Sequence, residues 1–112
     1  MNEIDAIRLR HMLEAAQEAV TFTQGETRTT LVNDRKLVLA LAMEITIIGE
    51  AASRLSKELQ TAHPEILWAD IISTRNYLVH AYFKIDVEVL WNIISIDLKI
   101  LIPQLQSILD KA

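Results

Sequence analysis

The chain has 112 residues, of which 51% are hydrophobic and 23% charged, with two glycines, two prolines and no cysteine. This length and apolar fraction predict one folded domain spanning residues 1–112, and they exclude a disordered chain. Four glycine and proline residues are too few for the turns of a β-sandwich or barrel, so the composition favours an all-α fold. Disulfides and thiolate chemistry are excluded by the lack of cysteine.

The net charge of −4 argues against a protein that grips nucleic acid through a broad basic face, although a local basic site stays possible. The acidic N-terminus does not resemble a secretory signal, and we expect a cytoplasmic protein. The most apolar stretch, residues 37–49, is interrupted by Glu44 and is shorter than the ~20 residues of a membrane span. We therefore expect no membrane association.

The hydrophobic pattern predicts an antiparallel bundle of four or five helices. Apolar side chains at helical spacing indicate a first amphipathic helix over residues 3–23. After a glycine-containing loop, Thr27 is a candidate cap for a short helical turn that ends at Val32. No strong helix breaker lies between Arg35 and about Ala62, so we predict one continuous central helix there.

Proline residues set the expected limits of the last two helices. Pro64 predicts the end of the central helix and the start of a third helix, which we place from Glu65 to about Phe83. Asp86 is a candidate cap for a fourth helix. We expect Pro103 to kink or split that fourth helix, because proline lacks the N–H that a helix interior requires.

Arg75 lies in the middle of the apolar stripe of the predicted third helix. Apolar residues stand three, four and seven positions before and after it: Trp68, Ile71, Ile72, Leu78, Val79 and Tyr82. A guanidinium stays charged in a protein and is costly to bury unpaired. It therefore needs a carboxylate inside the bundle, a subunit interface or an anionic ligand. The candidate carboxylates in the sequence are Glu44, Glu50 and Asp70.

Other candidate site residues surround Arg75 in the sequence. His80 follows Asn76 by four residues, so the two share a helix face, and imidazole is the usual proton-transfer group near neutral pH. Tyr82 returns to nearly the angle of Arg75. Glu50 has either an ordinary pairing with Arg54, one turn away, or the role of holding Arg75 or His80 in place.

The spacing of the histidines gives little support to a metal site. The chain has three histidines, His11, His63 and His80, and none pairs with another at the four-residue spacing of a helical zinc site. Two isolated glycines also cannot form a phosphate-cradling loop. We therefore expect neither a metal ion nor another cofactor.

The segment from Arg75 to Tyr82 reads Arg-Asn-Tyr-Leu-Val-His-Ala-Tyr, with four residues between the arginine and the histidine and one before the tyrosine. It resembles the signature of the HepT-like ribonuclease toxins of the HEPN superfamily. The segment 47–52, the sequence Arg54-Leu55-Ser56 and the stretch from His63 to Trp68 are also similar to that family in order and spacing.

This resemblance implies a HEPN-like bundle that dimerises through the motif-bearing helices and cleaves RNA without a metal, by attack of the ribose 2′-hydroxyl on the adjacent phosphate. It implies that His80 is the general acid or base and that Arg75 stabilises the charge of the transition state. Asn76 would orient His80 or a phosphate oxygen. Family members are usually neutralised by an MNT-type nucleotidyltransferase antitoxin that adenylylates the tyrosine, here Tyr82. The implied substrates are transfer RNA or messenger RNA.

Two other functions are compatible with the same residues. The chain could be a non-catalytic helical partner that binds nucleotide or substrate for a separate nucleotidyltransferase, in which case Arg75 and His80 would serve binding alone. It could also be a structural dimerisation bundle, in which substitution of either residue would change stability only.

Overall fold

A computed structural model describes residues 1–80 and 84–112. These residues form an all-α bundle and contain no β-strand. The seven α-helices in this part of the chain are α1 (Glu3–Phe22), α2 (Arg28–Val32), α3 (Arg35–Ser53), α4 (Lys57–Ala62), α5 (Trp68–His80), α6 (Val87–Asn92) and α7 (Leu98–Asp110). A π-helical segment, Ile93–Asp97, joins α6 to α7.

Polar side chains cap the N-termini of these helices. Asn2 accepts a hydrogen bond from the Asp5 amide at the start of α1, and Asp34 accepts one from the Leu37 amide at the start of α3. Thr27 and Thr30 form a reciprocal capping box on α2. These bonds satisfy amides that lack a partner in the first helical turn. The predicted short helix that ends at Val32 is confirmed.

The prediction of one continuous helix from Arg35 to Ala62 was wrong. Helix α3 ends at Ser53, and α4 starts at Lys57. Buried Asp5 accepts hydrogen bonds from the amide and hydroxyl of Ser56 at 2.9 and 2.6 Å, and Arg8 donates to the Arg54 carbonyl at 2.8 Å. Helix α1 therefore supplies the groups that end one helix and begin the next.

The third helix starts later than predicted, at Trp68 rather than Glu65. The Trp68 indole N–H donates to the His63 carbonyl at 3.0 Å, which stabilises the turn that follows Pro64. Pro103 does not split the last helix, because it lies inside α7 at an exposed position. Water can hydrate the carbonyl that the proline leaves without a donor.

Helix α3 is the central element and packs against α1 on one side and α5 on another, while α7 packs on α1. The first of these contacts is antiparallel, since Arg8 near the start of α1 reaches Arg54 after the end of α3. The fully buried large side chains of the core are Leu9, Met12, Leu31, Leu41, Leu90, Ile94 and Leu105. The predicted all-α bundle is confirmed. Within the described residues, no helix combines the length and hydropathy that crossing a bilayer demands.

Candidate active site

Helices α3 and α5 approach each other most closely where Gly49 faces Arg75. A Cβ atom built on Gly49 would overlap the Cβ of Arg75, and it would lie 2.8 Å from the Cγ of Arg75 and 3.2 Å from the Ile71 carbonyl oxygen. Real side chains do not tolerate such contacts. Glycine inside a helix costs up to ~1 kcal/mol relative to alanine, so its place here follows from the close crossing. The crossing brings the stem of Arg75 directly against α3.

Glu50, the next residue on α3, binds two arginines at once. Its Oε1 accepts a hydrogen bond from Nε of Arg54 at 2.7 Å, one turn along the same helix. Its Oε2 accepts a short hydrogen bond from the second terminal nitrogen of Arg75 on α5. One carboxylate thus joins two guanidiniums from different parts of the chain. Glu50 thus makes both of the contacts that the sequence suggested as alternatives, with Arg54 and with Arg75.

The two arginines hold the Glu50 carboxylate in its charged form. The hydrogen bond from Arg54 is the main cause that lowers the pKa of Glu50 below its ordinary value of 4.5, and the charge of Arg75 adds to the effect. Glu50 is therefore ionised at neutral pH and balances part of the local positive charge. Its side chain is 38% exposed, so this cluster borders solvent.

Arg75 is fixed by two partners, and its side chain is partly exposed. Its first terminal nitrogen donates to Oδ1 of Asn76 at 2.6 Å, in addition to the bond with Glu50. Its Nε is buried and has no acceptor within residues 1–80 and 84–112. A buried N–H without a partner costs about 1–3 kcal/mol, so this nitrogen does not add to the stability of the bundle. The side chain is 30% exposed.

The structure therefore brings Glu50, Arg75 and Asn76 together and places His80 at one end of the same helix. His80 is exposed in the last turn of α5, and no hydrogen bond joins it to Asn76 or Arg75 in the described part of the chain. Tyr82, the remaining predicted site residue, lies outside the described residues. A cation bordering solvent and an exposed imidazole on one helix can serve an anionic substrate and proton transfer.

Comparison with known proteins shows the family to which the chain belongs. A family model described as "Ribonuclease HepT-like" matches residues 12–108. The chain belongs to the HepT-like ribonuclease family. A Thermococcus cleftensis protein named "Probable ribonuclease HepT" is 33% identical over 103 residues, which cover 92% of this chain and 90% of that protein.

Two further relatives carry the name "Putative RNase". The one from Methanocaldococcus jannaschii is 30% identical over 89 residues and covers 80% of this chain and 82% of its own length. The one from Caldanaerobacter subterraneus subsp. tengcongensis is 30% identical over 103 residues, with 92% of each chain covered. No solved structure matches the chain.

In this HepT-like chain the structure selects one of three carboxylates as the partner of Arg75. Glu50 binds it, whereas buried Glu44 faces Glu18 on α1, whose proximity contributes to its raised pKa. Asp70 lines a groove together with Ile66, Ile71 and Leu101, and neither Arg75 nor Glu50 belongs to that lining. Arg75 is therefore half-buried beside a carboxylate and is not embedded in an entirely apolar surface.

Sequence reasoning did not assign a role to two residues of this HepT-like site. Gly49 determines how closely α5 approaches α3, and its signal was a single glycine inside a helix that is otherwise rich in apolar residues. Arg54 was considered only as a helical neighbour of Glu50, yet it is the main cause of the lowered pKa of Glu50. Within residues 1–80 and 84–112, no three histidine or acidic side chains cluster as metal ligands would.

Proposed function

We propose that the chain is a metal-independent ribonuclease of the toxin type, with Arg75 and His80 as its catalytic residues. The observation that carries this proposal is the partly exposed Arg75 side chain, whose guanidinium is bound by Glu50 and Asn76 on the helix that also presents His80. Membership in the HepT-like family supports RNA as the substrate class. Transfer RNA or messenger RNA in the cytoplasm is the proposed target.

The proposed reaction breaks the bond between phosphorus and the 5′ oxygen of the next nucleotide. A general base takes the proton of the ribose 2′-hydroxyl, whose oxygen forms a bond to the adjacent phosphorus. A general acid then protonates the departing 5′ oxygen, which leaves a 2′,3′-cyclic phosphate and a 5′-hydroxyl. His80 performs the proton transfers, and Arg75 stabilises the negative charge that accumulates on the phosphate oxygens.

Asn76 supports both catalytic residues in this proposal. Its Oδ1 accepts from Arg75, so its amide N–H₂ is directed elsewhere from an exposed position. Because Asn76 and His80 are four residues apart on α5, the amide group can reach a phosphate oxygen held between them. Glu50 acts through Arg75 and is a positioning residue.

A homodimer is the proposed active unit, because the attacking 2′ oxygen and the departing 5′ oxygen lie on opposite sides of the phosphorus, where two copies of His80 can serve as base and acid. Helix α3 carries an exposed apolar stripe at four-residue spacing, formed by Leu39, Met43 and Ile47, which are 47%, 60% and 38% exposed. Tyr77 adds exposed aromatic surface on α5, two residues after Arg75. A contact between copies across this surface would bury the apolar stripe and bring two catalytic pairs to one cleft.

We further propose that an MNT-type nucleotidyltransferase antitoxin adenylylates Tyr82. The support is the position of Tyr82 two residues after His80 in the motif. A nucleotide phosphate at that position would add negative charge that competes with RNA for Arg75. The chain contains two tyrosines, so mass spectrometry after co-expression with the antitoxin distinguishes them. Tyr82→Phe should abolish the added mass and Tyr77→Phe should not, and modification of Tyr77 would contradict the assignment.

RNA cleavage in the presence of EDTA tests the catalytic proposal. We expect the unmodified protein to cleave cellular RNA, and His80→Ala to lower the rate by roughly 10²–10⁴-fold, the usual contribution of a general acid or base. His63→Ala is the matched control, because His63 contacts Glu65 far from Arg75 along the chain. An inert wild-type protein whose nucleotide affinity falls in Arg75→Ala would favour the non-catalytic binding partner instead.

A further inference from the structure

A groove lies beside the candidate active site, between α1 and the end of α3. It has a volume of about 270 Å³, and its lining includes Arg8, His11, Thr46, Ile47, Glu50 and Arg54. Glu50 belongs to both places, because one of its carboxylate oxygens binds Arg54 in the groove and the other binds Arg75. The groove and the catalytic arginine are therefore separated by the width of one carboxylate.

The charge of this groove is opposite to that of the whole chain. Two guanidiniums, from Arg8 and Arg54, line the groove together with the single carboxylate of Glu50, which is also bound by Arg75 from outside the groove. Asp5 precedes Arg8 by one turn, but it is buried and both of its oxygens accept hydrogen bonds from Ser56. The groove is a local positive site on a protein with a net charge of −4.

Both arginines of the groove are held in place by one hydrogen bond and keep other donors. Arg8 uses one terminal nitrogen on the Arg54 carbonyl at 2.8 Å, and Arg54 uses Nε on Glu50 at 2.7 Å. Within the described residues, these are their only side-chain hydrogen bonds. A guanidinium carries five N–H donors in a planar arrangement that suits phosphate oxygens. Anchored arginines lose less entropy when they bind such an anion.

We propose that this groove binds the RNA phosphate next to the one that is cleaved. The inference rests on the proposed ribonuclease function and adds a second substrate contact to it. A strand whose scissile phosphate lies at Arg75 continues across Glu50 into the groove, where Arg8 and Arg54 bind the neighbouring phosphate.

Substitution of Arg8 tests the groove, with Arg10 as a matched control on the same helix. Arg10 is exposed and is not among the groove residues, so Arg10→Gln removes the same charge elsewhere on α1. We expect Arg8→Gln to raise the KM for an RNA oligonucleotide about tenfold and to reduce the salt slope of binding by ~1, as for one lost phosphate contact. The increase should be smaller for a dinucleotide, whose single phosphate occupies the Arg75 site.

A second variant covers the possibility that Arg8→Gln weakens folding through its lost bond to Arg54. His11 lines the groove from an exposed position, and His11→Glu places a negative charge there. Gln17→Glu adds the same charge at an exposed position of α1 away from the groove. We expect His11→Glu, and not Gln17→Glu, to weaken oligonucleotide binding while thermal unfolding stays similar in both.

The possible results distinguish a failure of the groove inference from a failure of the proposed ribonuclease function. If the wild type cleaves RNA and Arg8→Gln behaves like Arg10→Gln, the groove inference is overturned and the ribonuclease stands. If the wild type cleaves no RNA, the proposed function fails, and fluorescence anisotropy with a 2′-O-methyl oligonucleotide tests the groove by itself. Weaker binding by Arg8→Gln than by Arg10→Gln supports the groove there. A change of oligomeric state in Arg8→Gln, with unchanged RNA binding, overturns it in favour of a protein interface.

Discussion

Helix α3 carries two glutamates, Glu44 and Glu50, whose surroundings have opposite effects on them. Glu50 borders solvent and accepts hydrogen bonds from Arg54 and Arg75, which lower its pKa below the ordinary value. Glu44 is buried against α1, and its pKa is raised to about 7, first by burial and then by the hydrogen bond and the charge of Glu18. The neighbouring side chains decide the outcome, because Glu50 meets two cations, Arg54 directly after α3 and Arg75 on α5, where Glu44 meets a second acid on α1.

This difference indicates that the two positions have different uses. The buried Oε2 of Glu44 has no partner in the described residues, so ionised Glu44 costs stability. Ionised Glu50, in contrast, positions the arginine that we place at the substrate phosphate. The comparison predicts that neutralising Glu50 lowers catalytic activity, whereas neutralising Glu44 raises stability.

Glu50→Gln should cause a large loss of activity. The amide can accept from one guanidinium, but its N–H₂ group then faces the other donor, so Arg75 shifts. We expect a fall in kcat of roughly 100-fold, the scale of a 1 Å misplacement of a catalytic group. The measurement is RNA cleavage at saturating substrate, with Glu14→Gln on the exposed face of α1 as the control. Equal rates for the two variants would contradict the positioning role.

The sign of the stability change in Gly49→Ala shows whether close packing or helix propensity dominates at this position. Alanine at an uncrowded helix position would stabilise the protein by up to ~1 kcal/mol. Because the new methyl group overlaps Arg75, we expect instead a destabilisation of about 1–3 kcal/mol, together with lower kcat. Urea unfolding measures the sign of the change in the free energy of unfolding. A more stable Gly49→Ala protein would show that the crossing does not need glycine.

Glu44→Gln should stabilise the protein in a pH-dependent way. The folded state holds the Glu44 proton up to a pKa of about 7, whereas the ordinary value is 4.5, so wild-type stability falls as pH rises through this interval. Glutamine removes that loss. We expect Glu44→Gln to raise the Tm at pH 8 and to have little effect at pH 4.5, as followed by circular dichroism. The same gain at both pH values would contradict the assignment.

Arg54→Ala should have the smallest effect on stability. Its pair with Glu50 is exposed and one helical turn apart, and such pairs contribute little to stability because solvent screens them. The pKa of Glu50 should rise towards its ordinary value, because its main stabilising hydrogen bond is lost. NMR titration of the Glu50 carboxyl measures this shift. An unchanged pKa would mean that Arg75 alone holds the charge.

Local patterns in the sequence predicted the fold where the causes are local. Apolar spacing predicted the fold class, and the candidate caps Thr27 and Asp86 predicted two helix starts, because a cap bonds within its own first turn. The break after Ser53 was missed, because Asp5 and Arg8, about fifty residues away, make the bonds that end α3 and begin α4. No glycine or proline marks that break.

At the candidate site, too, the sequence predicted local features and missed contacts between distant residues. The spacing from Arg75 to His80 could be read from the sequence, and Glu50 was one of three possible partners. The choice among them depends on the rotation of α3 between two neighbouring helices, which puts Glu50 towards α5 and Glu44 towards α1. The closeness of Gly49 to Arg75 is a tertiary contact and leaves only a weak trace in a single sequence.

The central claim is that Arg75, held by Glu50 at the crossing of α3 and α5, stabilises the transition state of RNA cleavage. Its most direct test compares single-turnover cleavage of one RNA by the wild type, Arg75→Ala and Arg54→Ala in EDTA. We predict that Arg75→Ala lowers the rate by roughly 10²–10³-fold, the loss typical of a removed oxyanion donor, and that Arg54→Ala lowers it much less. Equal rates for Arg75→Ala and the wild type would contradict the claim.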